Sequence, residues 1–166
     1  MTGILPPTTA FLEQHIYAQD ETLTETVMVQ QITMNIRALV EAAEREIETM
    51  SIEQALSLHN CNDVIFVDLR DVRELNREGR VPGAFHCPRG MLEFWIDPES
   101  SYHKSIFAEE KQFIFFCAGG LRSALAAQTA SRMGLKPVAH IKGGFAAWKK
   151  AGGRIDSPQH ERKTNP

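Results

Sequence analysis

Residues 113–123 read Phe-Ile-Phe-Phe-Cys-Ala-Gly-Gly-Leu-Arg-Ser and decide the fold. The four apolar residues 113–116 are typical of a buried parallel strand. A helical pattern follows from Ser123 to Met133, where Gly134 ends it. In open parallel sheets, ligands bind beyond the carboxyl ends of the strands. The stretch therefore predicts an α/β fold with its functional site at Cys117.

Short apolar runs alternate with helical segments on both sides of this stretch. Ser51 with Gln54 and Asp71 with Glu74 have the spacing of a capping box, so each pair predicts a helix start. Strands alternating with helices indicate a mostly parallel sheet. The further strands that we predict are residues 64–67, 84–86 and 138–141.

Upstream of these segments, apolar residues recur at helical spacing from Ile32 onward. They predict a helix from about Glu25 to Glu46. Its apolar stripe needs cover, either from the body of the domain or from a second copy of the chain. We favour packing on the domain and keep the homodimer as the alternative.

The composition sets outer limits on function. The 166 residues suffice for one domain and an extension. A net charge of −3 gives no support for a nucleic-acid or membrane-surface partner. No apolar run approaches a membrane span, and residues 1–10 lack the features of a signal peptide. Three cysteines make a disulfide framework improbable, so we expect a reducing, cytoplasmic setting.

The residues around Cys117 favour a reactive thiolate. Gly119 and Gly120 allow the backbone to curl, so that successive N–H groups can form an anion-binding nest. The positive end of the following helix faces the same space. Arg122 adds a full charge with a planar donor fork. Such surroundings stabilise a thiolate, and we therefore expect Cys117 to act as a nucleophile.

Four segments resemble the conserved blocks of the rhodanese homology domain, in the family's order. Residues 117–123 resemble the active-site loop, 67–74 the first block, 79–86 the block around Pro-Gly-Ala, and 143–148 the closing block. The resemblance covers residues 47–155. We therefore expect an N-terminal extension over 1–46, mostly helical from about residue 25, and a C-terminal tail over 156–166.

The resemblance implies a three-layer fold with a five-stranded parallel sheet flanked by helices. It also implies a sulfurtransferase of the thiosulfate type, in which Cys117 takes sulfur from a donor such as thiosulfate. The acceptor would be cyanide, a thiol or a protein thiol, and no metal or organic cofactor is implied. The residues that would bind substrate are those of the loop, Ala118, Gly119, Gly120, Leu121, Arg122 and Ser123.

Three other functions stay open beside the free enzyme. Phosphatases and arsenate reductases share this fold, but their loop has five residues between cysteine and arginine. Here four residues separate Cys117 from Arg122, and the smaller loop favours sulfur over a tetrahedral phosphate. A non-catalytic docking module is less favoured, because this chain keeps the cysteine. A persulfide carrier in a sulfur-relay pathway would use the same residues as the enzyme.

Six further residues could line the pocket or have a structural role. Asp68 and Arg70 lie at the end of the first buried strand, and we favour a role in tying loops together. His86, Arg89 and Lys142 lie near predicted strand ends, where a structural or solvated role is the simpler interpretation. Trp95 could wall the pocket or cover part of the core. Cys87 is a candidate resolving thiol for the Cys117 persulfide.

Overall fold

The computed structural model describes residues 30–157. The chain divides into two units, Met1–Thr33 and Met34–Pro166. Of the first unit, residues 30–33 are described, and they form neither helix nor strand. The helices and strands of the described residues all belong to the second unit.

A five-stranded parallel sheet forms the centre of this unit. The strands are β1 (Glu48–Met50), β2 (Val64–Asp68), β3 (Phe85–His86), β4 (Gln112–Phe116) and β5 (Val138–Ile141). Their order is β1-β5-β4-β2-β3, and every neighbouring pair is parallel. β4 therefore lies in the middle, with its carboxyl end leading directly into Cys117. The predicted five-stranded parallel fold is confirmed.

Within residues 30–157, six α-helices and two short 3₁₀ helices accompany the sheet. Both predicted capping boxes are present, at Ser51 and at Asp71. The longest described helix has 12 residues, and none of those in residues 30–157 could cross a bilayer. The α-helices are α1 (Ile36–Glu44), α2 (Ile52–Leu58), α3 (Val72–Glu78), α4 (Leu92–Ile96), α5 (Leu121–Arg132) and α6 (Gly144–Lys150).

Alternate residues of the central strands enter two separate cores, one on each face of the sheet. Phe113 and Phe115 of β4 lie in the core covered by α4 and α5. Ile114 and Phe116 lie in the core on the other face, which also holds Trp148 of α6. The four apolar side chains of β4, residues 113–116, are all buried, as the uninterrupted apolar run predicted. Truncating such a phenylalanine to alanine costs about 3–5 kcal/mol, so β4 is anchored from both faces.

The N-terminal helix is shorter than the sequence predicted. It begins at Ile36, where the Asn35 side chain caps it by accepting a hydrogen bond from the Ala38 N–H at 3.0 Å. Residues 30–35 are not helical, and 25–29 lie outside the described residues. Val40 and Ala43 pack against Ala124 of α5, so this part of the apolar stripe is buried within the domain, whereas Ile32, Ile36 and Leu39 are exposed. The prediction of a helix starting near Glu25 was wrong for residues 30–35.

Two other boundaries differ from the prediction. The edge strand β1 was not predicted, because its three residues carry no periodic pattern and depend on pairing with β5. Helix α5 begins at Leu121 rather than near Ser123. Gly120, the residue before the helix, adopts a left-handed conformation with φ of 96°, and the loop ends at this residue. Arg122 and Ser123 therefore belong to the first turn of α5.

Candidate active site

Cys117 lies at the base of a tight loop between β4 and α5. Its side chain is buried, and the Gly120 N–H donates to its Sγ at 3.2 Å. The Cys117 carbonyl accepts a hydrogen bond from the Phe145 N–H at 2.7 Å, and the Ala118 carbonyl accepts one from Ala146 at 3.0 Å. The start of α6 thus holds the loop carbonyls, while a loop N–H faces the sulfur.

Two glycines make this close packing possible. A Cβ on Gly120 would lie 3.0 Å from the Gly143 nitrogen, and the left-handed φ would add strain. A Cβ on Gly144 would collide with the Cys117 carbonyl oxygen. The closing glycine pair of the sequence therefore serves the loop directly, since it lets the start of α6 approach the cysteine.

Arg122 is held by Glu74 of α3 through two parallel hydrogen bonds. Nη1 donates to Oε2 and Nη2 to Oε1, each at 2.8 Å. The Arg122 guanidinium, with a smaller contribution from the Asp71 N–H, lowers the pKa of Glu74 to about 2. The pKa of Arg122 is raised, chiefly by Glu74 and further by nearby Cys117. Both groups therefore stay ionised near the sulfur at neutral pH.

The sequence pattern marked Glu74 as part of a helix cap and did not connect it with the loop. In the capping box its side chain turns back toward the first residues of α3, where Oε2 also accepts from the Asp71 N–H at 2.8 Å. α3 begins at the same sheet edge as the Cys117 loop. A glutamate at this cap position, just after a strand end, was the signal that could have indicated the pair.

A second polar connection, through His140, was also missed. Ser123 Oγ donates to the Gly120 carbonyl at 2.9 Å and lies 3.4 Å from His140 Nδ1. His140 Nε2 lies 3.1 Å from Thr49 Oγ1 of β1. Burial lowers the pKa of His140. The available signal was a histidine inside an otherwise apolar strand, residues 138–141, which leaves a buried polar ring that needs partners.

Asp68 and Arg70 form a buried ion pair under the same edge of the sheet. Arg70 Nη2 donates to Asp68 Oδ2 at 2.7 Å and to the Gly79 carbonyl at 3.0 Å. The guanidinium carbon of Arg70 lies 3.7 Å from the centre of the Phe145 ring. Phe145 is the residue whose N–H holds the Cys117 carbonyl. The pair therefore supports the loop from behind, through Phe145.

Of the other four residues singled out from the sequence, His86 and Arg89 bind partners outside the Cys117 loop. His86 Nε2 lies 2.8 Å from the Arg70 carbonyl. Arg89 donates from Nη1 to the Glu93 carboxylate at 2.8 Å. Trp95 packs on the core that contains Cys87. Lys142 is exposed and follows β5 directly.

The three cysteines all lie in the described residues, and all are free thiols. Cys61 is exposed, whereas Cys87 is buried in the same core as Cys117. Burial, reinforced by the negative charge of Glu93, raises the pKa of Cys87 to about 12. Cys87 is therefore protonated at neutral pH, which makes it a weak nucleophile as it stands.

Comparison with known proteins gives a family and several relatives. The model of the rhodanese-like domain matches residues 51–151. The mouse thiosulfate sulfurtransferase/rhodanese-like domain-containing protein 3 is 27% identical over 97 residues, which are 55% of this chain and 62% of the mouse protein. The chain thus spans less than two thirds of that relative. A sulfurtransferase of Allochromatium vinosum is 26% identical over 114 residues, 69% of this chain and 96% of that protein.

A solved structure from Rhodopseudomonas palustris is more similar in sequence. It belongs to a protein of unknown function described as a possible tyrosine phosphatase. The identity is 59% and the TM-score 0.76, covering 78% of this chain and 99% of the other. Together with the parallel sheet and the Cys117 loop, the match over residues 51–151 shows that the chain belongs to the rhodanese-like domain family.

Proposed function

We propose that the protein is a sulfurtransferase that moves sulfane sulfur from a donor such as thiosulfate to a thiophilic acceptor through a persulfide on Cys117. One observation carries this proposal. The Cys117 sulfur ends the central strand inside a loop whose Gly120 N–H points at it from 3.2 Å. The names of the mouse and Allochromatium relatives support the same reaction class.

Two half-reactions make up the proposed cycle. The Cys117 thiolate attacks the outer sulfur of thiosulfate, a new S–S bond forms, and the old one breaks as its electron pair leaves with sulfite. An acceptor such as cyanide then attacks the outer persulfide sulfur and leaves as thiocyanate, which regenerates the thiolate. One covalent intermediate thus links two simpler displacements.

The loop offers the persulfide two kinds of stabilisation. The Gly120 N–H already donates toward the sulfur, and donors fixed before the reaction need no reorganisation as charge shifts. The 12-residue helix α5 begins at Leu121 and directs the positive end of its dipole toward the same space. Neither group requires a metal ion or an organic cofactor.

A phosphatase is the second candidate, and the description of the Rhodopseudomonas protein favours it. Four residues separate Cys117 from Arg122, and both terminal nitrogens of Arg122 are already bound to Glu74. A phosphate would have to share that guanidinium with a carboxylate inside a small loop. Sulfur transfer needs space for one added atom, and we rank it first for that reason. Hydrolysis of an aryl phosphate without sulfur transfer from thiosulfate would reverse the ranking.

A persulfide carrier for a protein partner is the third candidate, with the same residues in the same roles. Turnover with cyanide, small thiols and thioredoxin-like proteins separates it from a free enzyme, because a carrier prefers its protein acceptor. A module that only docks partners would show no turnover with any of them. We propose a reducing, cytoplasmic location, which the three free thiols support.

Mass spectrometry of the intact chain tests the persulfide. After incubation with thiosulfate, we expect the wild type to gain the mass of one sulfur atom and to lose it again with cyanide. Cys117→Ser should abolish both the gain and the turnover. Cys61→Ser is the matched control, since Cys61 is exposed and should leave both unchanged. A persulfide that persists in Cys117→Ser would refute the assignment.

A further inference from the structure

Apart from the Cys117 thiolate, the loop carries one charged side chain, and Glu74 already matches that charge. Arg122 is the sole ionisable cation in residues 117–123. Its two terminal nitrogens each donate to one oxygen of the Glu74 carboxylate at 2.8 Å. Such a bidentate pair is well oriented and among the stronger charged contacts. An anion arriving at Cys117 therefore meets a neutralised pair rather than a free guanidinium.

Glu74 is fixed in this position and stays charged. Its Oε2 also accepts from the Asp71 N–H at 2.8 Å, so the carboxylate has a backbone anchor as well as Arg122. Its side chain is 19% exposed, less than half the exposure of the arginine. Arg122 holds the pKa of Glu74 near 2, so the carboxylate remains an anion at any pH at which the protein would work.

Two other ion pairs lie at the same edge of the sheet. Asp68 and Arg70 neutralise each other in the interior, with Nη2 to Oδ2 at 2.7 Å. Arg73 is bound to Asp71 at 2.8 Å on the surface. Neither pair leaves a surplus positive charge for a substrate. Lys142, which is exposed just after β5, is a further cation at this edge, but it lies outside the loop. Within the loop, the charge that a donor meets therefore depends on how far Glu74 neutralises Arg122.

We propose that Glu74 sets the donor class of this site, favouring sulfur donors with a single negative charge over dianionic thiosulfate. The inference rests on the proposed sulfur transfer and specifies its substrate. Bringing a second negative charge toward the loop gains little from a neutral pair, and the carboxylate repels it. Organic thiosulfonates and persulfides, with one negative charge, avoid that cost.

Two donors that differ by one charged oxygen test the proposal. Methanethiosulfonate is thiosulfate with a methyl group in place of one anionic oxygen. Each gives its outer sulfur to Cys117, and the leaving group is methanesulfinate in one case and sulfite in the other. Thiocyanate formation with saturating cyanide gives kcat/KM for both donors on the full chain. The ratio of the two values cancels effects on folding and on the shared second half-reaction.

Glu74→Gln is the informative variant. Glutamine also serves at the third position of a capping box, so α3 keeps its cap. Removing the carboxylate frees the charge of Arg122 for the donor. We expect the ratio of kcat/KM for thiosulfate to that for methanethiosulfonate to rise roughly tenfold. The rise should lie mainly in KM for thiosulfate and should shrink as NaCl is added.

Glu46→Gln is the matched control. Glu46 binds Arg132 through two hydrogen bonds, at 3.2 and 2.9 Å, at the other end of α5. Ten residues of helix place Arg132 about 15 Å from Arg122 along the axis. The variant removes the same charge from the same kind of pair, so we expect the donor ratio to stay at the wild-type value.

The possible outcomes separate the two proposals. An unchanged donor ratio in an active Glu74→Gln variant overturns the role of Glu74 and leaves sulfur transfer intact. That role is also overturned if wild-type kcat/KM for thiosulfate falls steeply with NaCl, because the fall would reveal an unneutralised cation; this measurement needs no variant. If the wild type turns over neither donor, the proposed function itself fails.

Discussion

The two ends of helix α5 carry the same kind of ion pair in different surroundings. At the start of the helix, Arg122 donates two hydrogen bonds of 2.8 Å to Glu74. At its end, Arg132 donates hydrogen bonds of 3.2 and 2.9 Å to Glu46. The first pair is 41% and 19% exposed, the second 63% and 47%. Water screens the second pair more strongly. The first is the pair whose charge can influence chemistry.

The same contrast holds for the glycines at the two ends. Gly120 and Gly134 both have left-handed backbones, with φ of 96° and 101°. A Cβ on Gly120 would lie 3.0 Å from the Gly143 nitrogen and 3.4 Å from the Ile141 carbonyl oxygen, whereas one on Gly134 would meet nothing within 4 Å. Similar glycines thus flank both ends of α5. Only the N-terminal one, Gly120, packs closely against the end of β5 and the start of α6, where the Cys117 loop lies.

The largest difference between the two ends should come from replacing the glycines. Gly120→Ala adds both strain and a clash with backbone, so we expect a loss of about 2–4 kcal/mol in the free energy of unfolding. Displacing the loop should also lower kcat/KM for sulfur transfer about 100-fold. Gly134→Ala adds backbone strain alone. We expect it to lower the free energy of unfolding by about 1 kcal/mol and to leave kcat/KM unchanged. Urea unfolding and thiocyanate assays measure both quantities, and equal effects in the two variants would contradict the contrast.

The second largest difference should be the effect of acid on the stabilisation given by Glu74 and by Glu46. The pKa of Glu74 is 4.5 in the unfolded chain and about 2 in the folded chain. The stabilisation that ionised Glu74 gives the folded state is therefore complete above pH 4.5 and is lost as the pH falls toward 2. After allowance for solvent screening of Arg122, we expect ionised Glu74 to add about 1–2 kcal/mol to the free energy of unfolding. The stability gap between wild type and Glu74→Gln should close over this range in urea titrations. Glu46→Gln should show a weaker change of the same sign, and a gap that is independent of pH would contradict the role of Glu74.

The smallest effect should come from His140, which lies beneath the N-terminal end of α5. The groups that face or influence its ring are Ser123, Thr49, Glu44 and Lys142. Burial lowers its pKa, so the unfolded chain binds the proton more readily, and stability should fall as the pH drops below about 6.5. Urea unfolding between pH 5 and 8 should show a shallower slope for His140→Gln than for wild type. An identical slope would mean that His140 does not titrate with folding.

Four of the five strands and the cysteine loop could be predicted because their signals are local. The uninterrupted apolar run 113–116 predicts a central buried strand, and the spacing of Asp71 and Glu74 predicts a helix cap. The structure confirms both. The glycines after Cys117 predicted a curled backbone with inward N–H groups; Gly120 has a left-handed backbone, and its N–H donates to the Cys117 Sγ.

The missed features depend on contacts between distant parts of the chain. Glu74 and Arg122 are 48 positions apart, and no local pattern pairs them. β1 exists because β5 supplies its hydrogen-bond partners. Helical spacing also overextended α1, since an apolar period cannot reveal that Asn35 caps the helix. In each case a tertiary contact or a single cap residue outweighed the pattern.

One atom joins the folding of α3 to the occupancy of the site. Oε2 of Glu74 accepts from the Asp71 N–H, which belongs to the cap of α3, and from Arg122, which belongs to the loop. Any anion that draws Arg122 away changes how firmly that oxygen holds the cap. Thermodynamic linkage is reciprocal, so fraying of the first turn of α3 must alter anion affinity by the same free energy. Amide exchange at the start of α3 would therefore report, from outside the loop, whether the site is filled.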